Sequence, residues 1–262
     1  MIEARDIAYS VGTRELVRDV SVVFPANKLS LIVGPNGAGK STLIKVLARL
    51  LKPTAGSVTY DGTDVATATD LDLARRRAVL SQAVEIAFPL KVREVVMMGR
   101  YPHFGGRPGP NDERIVDEMI ALFDIEEFAS RDYQTLSGGE RQRVNFARVL
   151  AQLSLSHEEE KTRPRYLFLD EPLTFLDIKH QIDFLKKIRD FAAAADVVTV
   201  GVVHDLNLAA RFADQIVVLD KGKVVAAGEP SDVLTPKTIR DVFEVEPVFV
   251  PSETAGTHLF FD

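Results

Sequence analysis

Eight consecutive residues, Gly34-Pro35-Asn36-Gly37-Ala38-Gly39-Lys40-Ser41, satisfy every fixed position of G-x-x-x-x-G-K-[ST]. The residue types describe a phosphate cradle. Gly34, Gly37 and Gly39 free the backbone to turn successive N–H groups onto phosphate oxygens. Lys40 brings a point charge to the outer phosphates, and the Ser41 hydroxyl, followed by Thr42, is a hard oxygen ligand of the kind Mg²⁺ takes. The context agrees. Leu29–Val33 is a short apolar run with the length of a buried strand, and Thr42–Ala48 carries apolar residues at helical spacing. A helix that begins at this loop points its positive end at the same anion.

A second apolar run, Tyr166–Leu169, ends in two adjacent carboxylates, Asp170 and Glu171. Strand ends seldom carry paired acids without a partner, because unpaired buried charge is costly. Ligands of open parallel sheets sit at the carboxyl ends of strands, where the phosphate loop also belongs. Asp170 is therefore placed to hold Mg²⁺ directly or through water, and Glu171 to polarise an attacking water. Leu136-Ser137-Gly138-Gly139-Glu140 opens a third segment, in which Ser137 and two glycines at a helix start expose N–H groups to an anion. Taken alone, it reads equally well as an ordinary capped helix.

Around these motifs the chain changes texture. Ile2–Tyr9 and Val20–Phe24 alternate as antiparallel strands do, the first helix is expected to stop near Lys52-Pro53, and Ser57–Tyr60 with Asp61-Gly62 reads as a strand and turn. Arg77–Ser81 is a short strand that delivers Gln82 to its end. From about Val84 to Leu153 the pattern is helical, with helices expected over Val92–Met98, Asp112–Phe123 and from Ser137 to about Leu153. Ser154–Arg163 is polar and charged, a solvated loop. Strand and helix then alternate over Tyr166–Leu169, Ile178–Phe191, Val197–Val203, Leu206–Phe212 and Ile216–Leu219, the rhythm of a mostly parallel sheet. Ile239–Asp262 is the least legible part, read as a small appended strand pair.

Composition narrows the class. The chain has 262 residues, 46% hydrophobic and 27% charged, with net charge −6 and no cysteine. Disulfides and thiolate metal sites are excluded, no apolar run reaches the length of a membrane span, and a broad nucleic-acid footprint is not expected. The first residues lack the basic start and apolar centre of a signal peptide. His103, His157, His180 and His258 have no metal-ligand partners at fitting spacing.

With Leu136–Glu140 lying shortly before the Asp-Glu strand, the whole chain resembles the ATPase subunit of an ATP-binding cassette transporter. The resemblance implies an α/β fold: a P-loop NTPase core with a mostly parallel sheet, an antiparallel β subdomain and an inserted helical signature subdomain. It divides the chain into a core (1–83 and 154–238), a helical block (84–153) and a C-terminal extension (239–262). It implies ATP and Mg²⁺ as ligands. Ser137, Gly138, Gly139 and Glu140 are then the signature that contacts the γ-phosphate of ATP held by the opposite subunit. Gln82 matches the glutamine that reaches Mg²⁺ and the attacking water, His204 the switch histidine, Asp177 the D-loop aspartate at the dimer interface, and Tyr9 the aromatic that stacks on adenine. Tyr9 reads otherwise as a half-buried strand residue. Phe175 departs from the pattern, since a smaller residue is common there.

The expected partners are a second copy in head-to-tail symmetry, membrane permease subunits and, indirectly, a periplasmic substrate-binding protein; nucleic acid is not expected. The expected place is the cytoplasmic face of the inner membrane, peripherally bound. Phe88–His103, Leu176–Gln181 and Val203–Ala209 resemble importers of iron–siderophores, haem and cobalamin, most of all haem importers. A DNA-repair cassette would need a long coiled-coil or zinc insertion, a translation-associated one usually has two cassettes, and an exporter half usually carries fused membrane spans.

Overall fold

The computed structural model describes residues 1–81, 86, 88–155, 164–252 and 256–261. β1 (Ile2–Val11) and β2 (Arg14–Phe24) form a hairpin, β3 (Leu29–Val33) leads through the glycine loop into α1 (Lys40–Leu47), and β4 (Ala55–Tyr60) turns into the short β5 (Thr63–Asp64). α2 (Asp70–Arg76) runs directly into β6 (Arg77–Leu80). Three helices follow: α3 (Val92–Met98), α4 (Pro110–Leu122) and α5 (Gly138–Leu153). Then come β7 (Arg165–Leu169), α6 (Ile178–Ala195), β8 (Val197–Val202), α7 (Leu206–Phe212), β9 (Gln215–Asp220) and β10 (Lys223–Gly228). The chain closes with α8 (Pro230–Val233), α9 (Pro236–Phe243) and the antiparallel pair β11 (Pro247–Ser252) and β12 (Gly256–Phe261).

The main sheet has the order β10-β9-β3-β8-β7-β6, parallel throughout except for the β9–β10 edge. A second, antiparallel sheet has the order β2-β1-β4-β5. The period of two along each strand decides which layer each side chain joins. Leu29, Leu31 and Val33 of β3, with Leu167 and Leu169 of β7, face the core shared with α3–α7. Ile32, Tyr166 and Phe168 face the opposite core, filled by Leu43, Ile44 and Leu47 of α1 and by Ile2, Ile7, Val20 and Phe24 of the antiparallel sheet. The strands are buried on both faces, which is why β3, β7 and β8 read as continuous apolar runs.

α3, α4 and α5 pack around Arg100, which is 1% exposed. Its guanidinium donates to Asp112 Oδ1 (3.0 Å) and to the carbonyls of Ala151 (2.7 Å) and Ser154 (2.5 Å), so one cation ties the ends of the three helices together. Among the described residues of this block there is no strand, only an isolated bridge between Lys91 and Asp132.

Several expectations are corrected. α1 ends at Leu47, before Lys52-Pro53, because Arg49 takes a left-handed conformation (φ 52°) and Leu50 N–H closes on Lys45 O at 2.7 Å. β2 begins at Arg14, α6 runs on to Ala195, and Pro110 opens α4 as its first residue. α2, β10, α8 and α9 were not foreseen, and Ile239 belongs to α9. The expected C-terminal strand pair is present as β11–β12. Most of the polar loop, residues 156–163, and Gln82 lie outside the described residues.

Candidate functional site

Four sequence motifs follow the carboxyl ends of neighbouring parallel strands: the glycine loop after β3, Asp170-Glu171 after β7, His204 after β8 and, outside the described residues, Gln82 after β6. Asp170 N–H donates to Leu80 O (2.9 Å) and Val203 N–H to Ile32 O (3.2 Å), which extends the sheet's pairing to the edge of the site.

The glycine loop is held from three sides. A Cβ on Gly34 (φ 152°) would lie 2.0 Å from Leu219 O, and one on Gly39 (φ 100°) 2.4 Å from Leu16 O, so only glycine lets β9 and β2 approach this closely. The turn between β9 and β10 supplies the third side, with Gly222 N–H on Ala38 O (2.9 Å) and Arg18 N–H on Gly222 O (2.7 Å). Pro35 is half-buried and Ala38 buried, while Asn36 and Gly37 face solvent beside a cavity of about 310 Å³ bounded by Asp220 and α9. Tyr9 lies opposite Val17 on the β1–β2 pair that borders the loop; it is half-buried and packs on the α1 side.

Lys40, 6% exposed, folds back across the loop, its Nζ donating to Gly34 O (2.8 Å) and Pro35 O (2.9 Å). Burial pushes its pKa below the ordinary 10.5, with the charges of Glu171 and Asp170 acting against that shift. Across from it, burial raises the Asp170 pKa, opposed by a hydrogen bond from Ser41 and by the charges of Lys45 and Lys40. Asp170 Oδ1 is buried with no hydrogen-bond partner. A buried, unsatisfied carboxylate oxygen beside a hydroxyl is a hard-oxygen pair that fits Mg²⁺. Among the described residues no three carboxylate or imidazole groups cluster as metal ligands, so a cation held by Ser41 and Asp170 would complete its shell with phosphate and water.

Glu171 adopts φ 52°, uncommon for a residue with a Cβ, and its Oε1 meets His204 Nε2 at 3.0 Å. The two border a cleft of about 220 Å³ with Thr174, Gln181 and Asp205. A carboxylate that accepts from an imidazole at the mouth of a cleft can orient a water and move its proton.

Ser137 caps α5 in a reciprocal box: Glu140 N–H donates to Ser137 Oγ (3.3 Å) and Ser137 N–H to Glu140 Oε2 (2.7 Å). These bonds to Ser137 hold the Glu140 carboxyl below its ordinary range. Glu140 is therefore engaged in holding the helix start, where Gly138 and Gly139 lie against Phe175. Phe175 is in the left-handed region (φ 69°) and 72% exposed, next to the equally exposed Ile178. Asp177 caps α6, accepting from His180 N–H (2.9 Å) and pairing with its Nδ1 (2.8 Å).

The structure thus brings Lys40, Ser41, Asp170, Glu171 and His204 together. Among the described residues no hydrogen bond or ion pair links Ser137, Gly138, Gly139 or Asp177 to the glycine loop of the same chain. Two residues were overlooked. Gln142, two residues after Glu140, donates to Pro172 O (2.7 Å) and ties α5 to the turn after Glu171. Asn207, three residues after His204, binds a strand more than fifty positions away. Neither bond leaves a signal in the sequence, since each joins residues thirty or more positions apart.

A family model described as "ABC transporter" matches residues 17–174. A hemin import ATP-binding protein, HmuV, of Rhizobium meliloti (strain 1021) is 43% identical over 243 residues, covering 93% of this chain and 91% of that protein. The protein of the same name from Escherichia coli O157:H7 is 42% identical over 239 residues, covering 91% and 90%. Among solved structures, an inward-facing putative metal-chelate type ABC transporter superposes with a TM-score of 0.81 at 22% identity, covering 100% of this chain and 96% of that one, a likeness of fold. A dimeric bacterial ABC transporter cassette gives 0.75 at 25% identity, covering 88% and 99%. No helix among the described residues is long and apolar enough to cross a membrane. The chain belongs to the ABC transporter family.

Proposed function

We propose that this protein is the ATP-hydrolysing subunit of a haem importer, working as a head-to-tail pair on the cytoplasmic face of the membrane with permease subunits made by other chains. The observation that carries the reading is the Glu171–His204 contact of 3.0 Å at the strand ends that also present the glycine loop. Backbone N–H groups of residues 34–41 cradle the phosphates, Lys40 leaves the Gly34 and Pro35 carbonyls for the outer phosphate, and Tyr9 stacks on the base. Ser41 and Asp170 hold Mg²⁺, which supplies charge neutralisation at the phosphate oxygens; Gln82 is assigned to the same cation by the family resemblance alone. Glu171 takes the proton of the attacking water, and His204 holds that carboxylate and the γ-phosphate in register.

The signature residues Ser137–Glu140 and Asp177 act in trans. A glycine loop and a signature on one chain that do not meet within it complete two sites when two copies pair under two-fold symmetry. ATP closes that pair and hydrolysis reopens it. The hemin import function in the relatives' names supports haem as cargo; a ferric siderophore or cobalamin is the alternative. The test of the ATPase is Glu171→Gln, which should retain ATP, accumulate as a dimer and turn over slowly; near-normal hydrolysis would overturn the assignment. For the cargo, reconstitution with the permease subunits it energises and their binding protein should show ATPase stimulation by haem-loaded binding protein. Stimulation by a siderophore or cobalamin complex instead would replace haem.

A further inference from the structure

The C-terminal hairpin β11–β12 has a role in no part of the mechanism above, yet it is bonded to the element that carries His204. Asn207 Nδ2 donates to Leu259 O (3.0 Å) and Leu259 N–H donates to Asn207 Oδ1 (2.7 Å). Both main-chain groups of one residue in an antiparallel strand point to the same side, so Leu259 turns its pair away from β11. The carboxamide of Asn207 therefore pairs with β12 as one peptide of a third strand would. Leu259 is 4% exposed and belongs to the same core as Val203, Leu206 and Leu208.

Asn207 stands in the first turn of α7, and that turn is gripped from two directions. Asp205 caps it, its Oδ1 accepting from Asn207 N–H (2.8 Å) and Leu208 N–H (3.0 Å). The clamp to β12 holds the outer side. His204 immediately precedes the cap, and its side chain is 48% exposed. α7 is short, seven residues, and a helix of that length has little rigidity of its own. Behind His204 the sheet holds the chain through Val203 N–H on Ile32 O (3.2 Å); ahead of it, the height of the ring over Glu171 depends on the anchoring of this one turn.

We infer that Asn207 is a positioning residue, and that through it the C-terminal hairpin serves as a strut that keeps His204 on Glu171. The inference rests on the catalytic reading of the Glu171–His204 pair. It makes the extension a working part of the hydrolytic site and not only a cover for apolar surface.

The experiment compares Asn207→Ala, His204→Ala and the double variant in the full-length protein, measuring kcat, KM for ATP, equilibrium ATP binding and the pH profile of kcat. Asn207→Ala should lower kcat by about ten-fold to a hundred-fold with ATP binding unchanged, as small displacements of a reacting group do. In the His204→Ala background it should have no further effect, since the residue acts through that ring. Asn207→Asp, which keeps the acceptor for Leu259 N–H and loses the donor, should fall between, and it carries the test if the alanine variant does not fold. Wild-type kcat in both Asn207 variants, or the same fractional loss with and without His204, would overturn the strut. Undiminished kcat in His204→Ala would instead show that the catalytic reading itself had failed, and the strut with it.

Discussion

His204 Nε2 stands 3.0 Å from Glu171 Oε1, a contact between residues at the ends of adjacent parallel strands, β8 and β7. Glu171 reaches it from a left-handed backbone conformation, and His204 from the position just before the Asp205 helix cap. Neither residue is near the other in sequence, and the pairing of β7 with β8 brings the two strand ends side by side. If this contact organises the attacking water, Glu171→Gln should lower kcat by about 10²–10⁴-fold, the usual worth of a general base, with the ATP dissociation constant little changed. Steady-state hydrolysis and equilibrium nucleotide binding on the same sample check both halves.

Lys40 gives a pH dependence with a defined sign. Burial lowers its pKa from 10.5, so the free protein loses the ammonium as pH climbs through that lowered value. Phosphate bound beside it favours the charged form. ATP affinity should therefore fall as pH rises through the window below 10.5, and binding there should take up a proton. Calorimetry in buffers of different ionisation enthalpy measures that uptake, and Lys40→Ala should bind weakly and show none.

Sharing of each site between two copies can be read from mixed subunits. Lys40→Ala abolishes the phosphate loop, and Gly139→Asp blocks the signature, where an added Cβ would lie 3.3 Å from Phe175 O. Each variant alone should be inactive. Mixed, they should recover up to about a quarter of wild-type activity, because random pairing makes half the dimers mixed and each of those holds one intact site. No recovery on mixing, with each variant shown to dimerise, would count against sites completed in trans.

The helical block should depend on Arg100. Replacing this buried cation with Met leaves Asp112 with an uncompensated carboxylate and frees the carbonyls of Ala151 and Ser154. Loss of one partner of a buried pair costs about 3–5 kcal/mol. Denaturant unfolding should show that loss for Arg100→Met. The double variant with Asp112→Leu should be less destabilised than the single one, since both charges are then gone.

Much of the site was readable in advance because its residues are local words. The glycine loop, the Asp-Glu strand end and the capped helix at Ser137 each depend on spacing within a few residues, and strands buried on both faces announce themselves as apolar runs. The elements that escaped notice have the opposite character. β10 is an edge strand whose burial alternates between exposed and half-buried, and α8 and α9 are short helices beginning at proline. The end of α1 is not legible in the sequence because Arg49, a residue with no turn signature, takes the left-handed conformation that closes the helix before the proline is reached.

The amino-acid order by itself determined the chemical vocabulary: a phosphate cradle, a carboxylate pair, a capped glycine pair and their succession along an α/β chain. It could not determine who meets whom. The contact of His204 with Glu171, the orphaned oxygen of Asp170 beside Ser41, the bond from Gln142 to Pro172 and the clamp of Asn207 on Leu259 all join residues at least 30 positions apart. Hydrogen bonds of this kind act over about 3 Å and carry no periodic trace in the chain, so only the order of strands in the folded sheet brings the partners within reach.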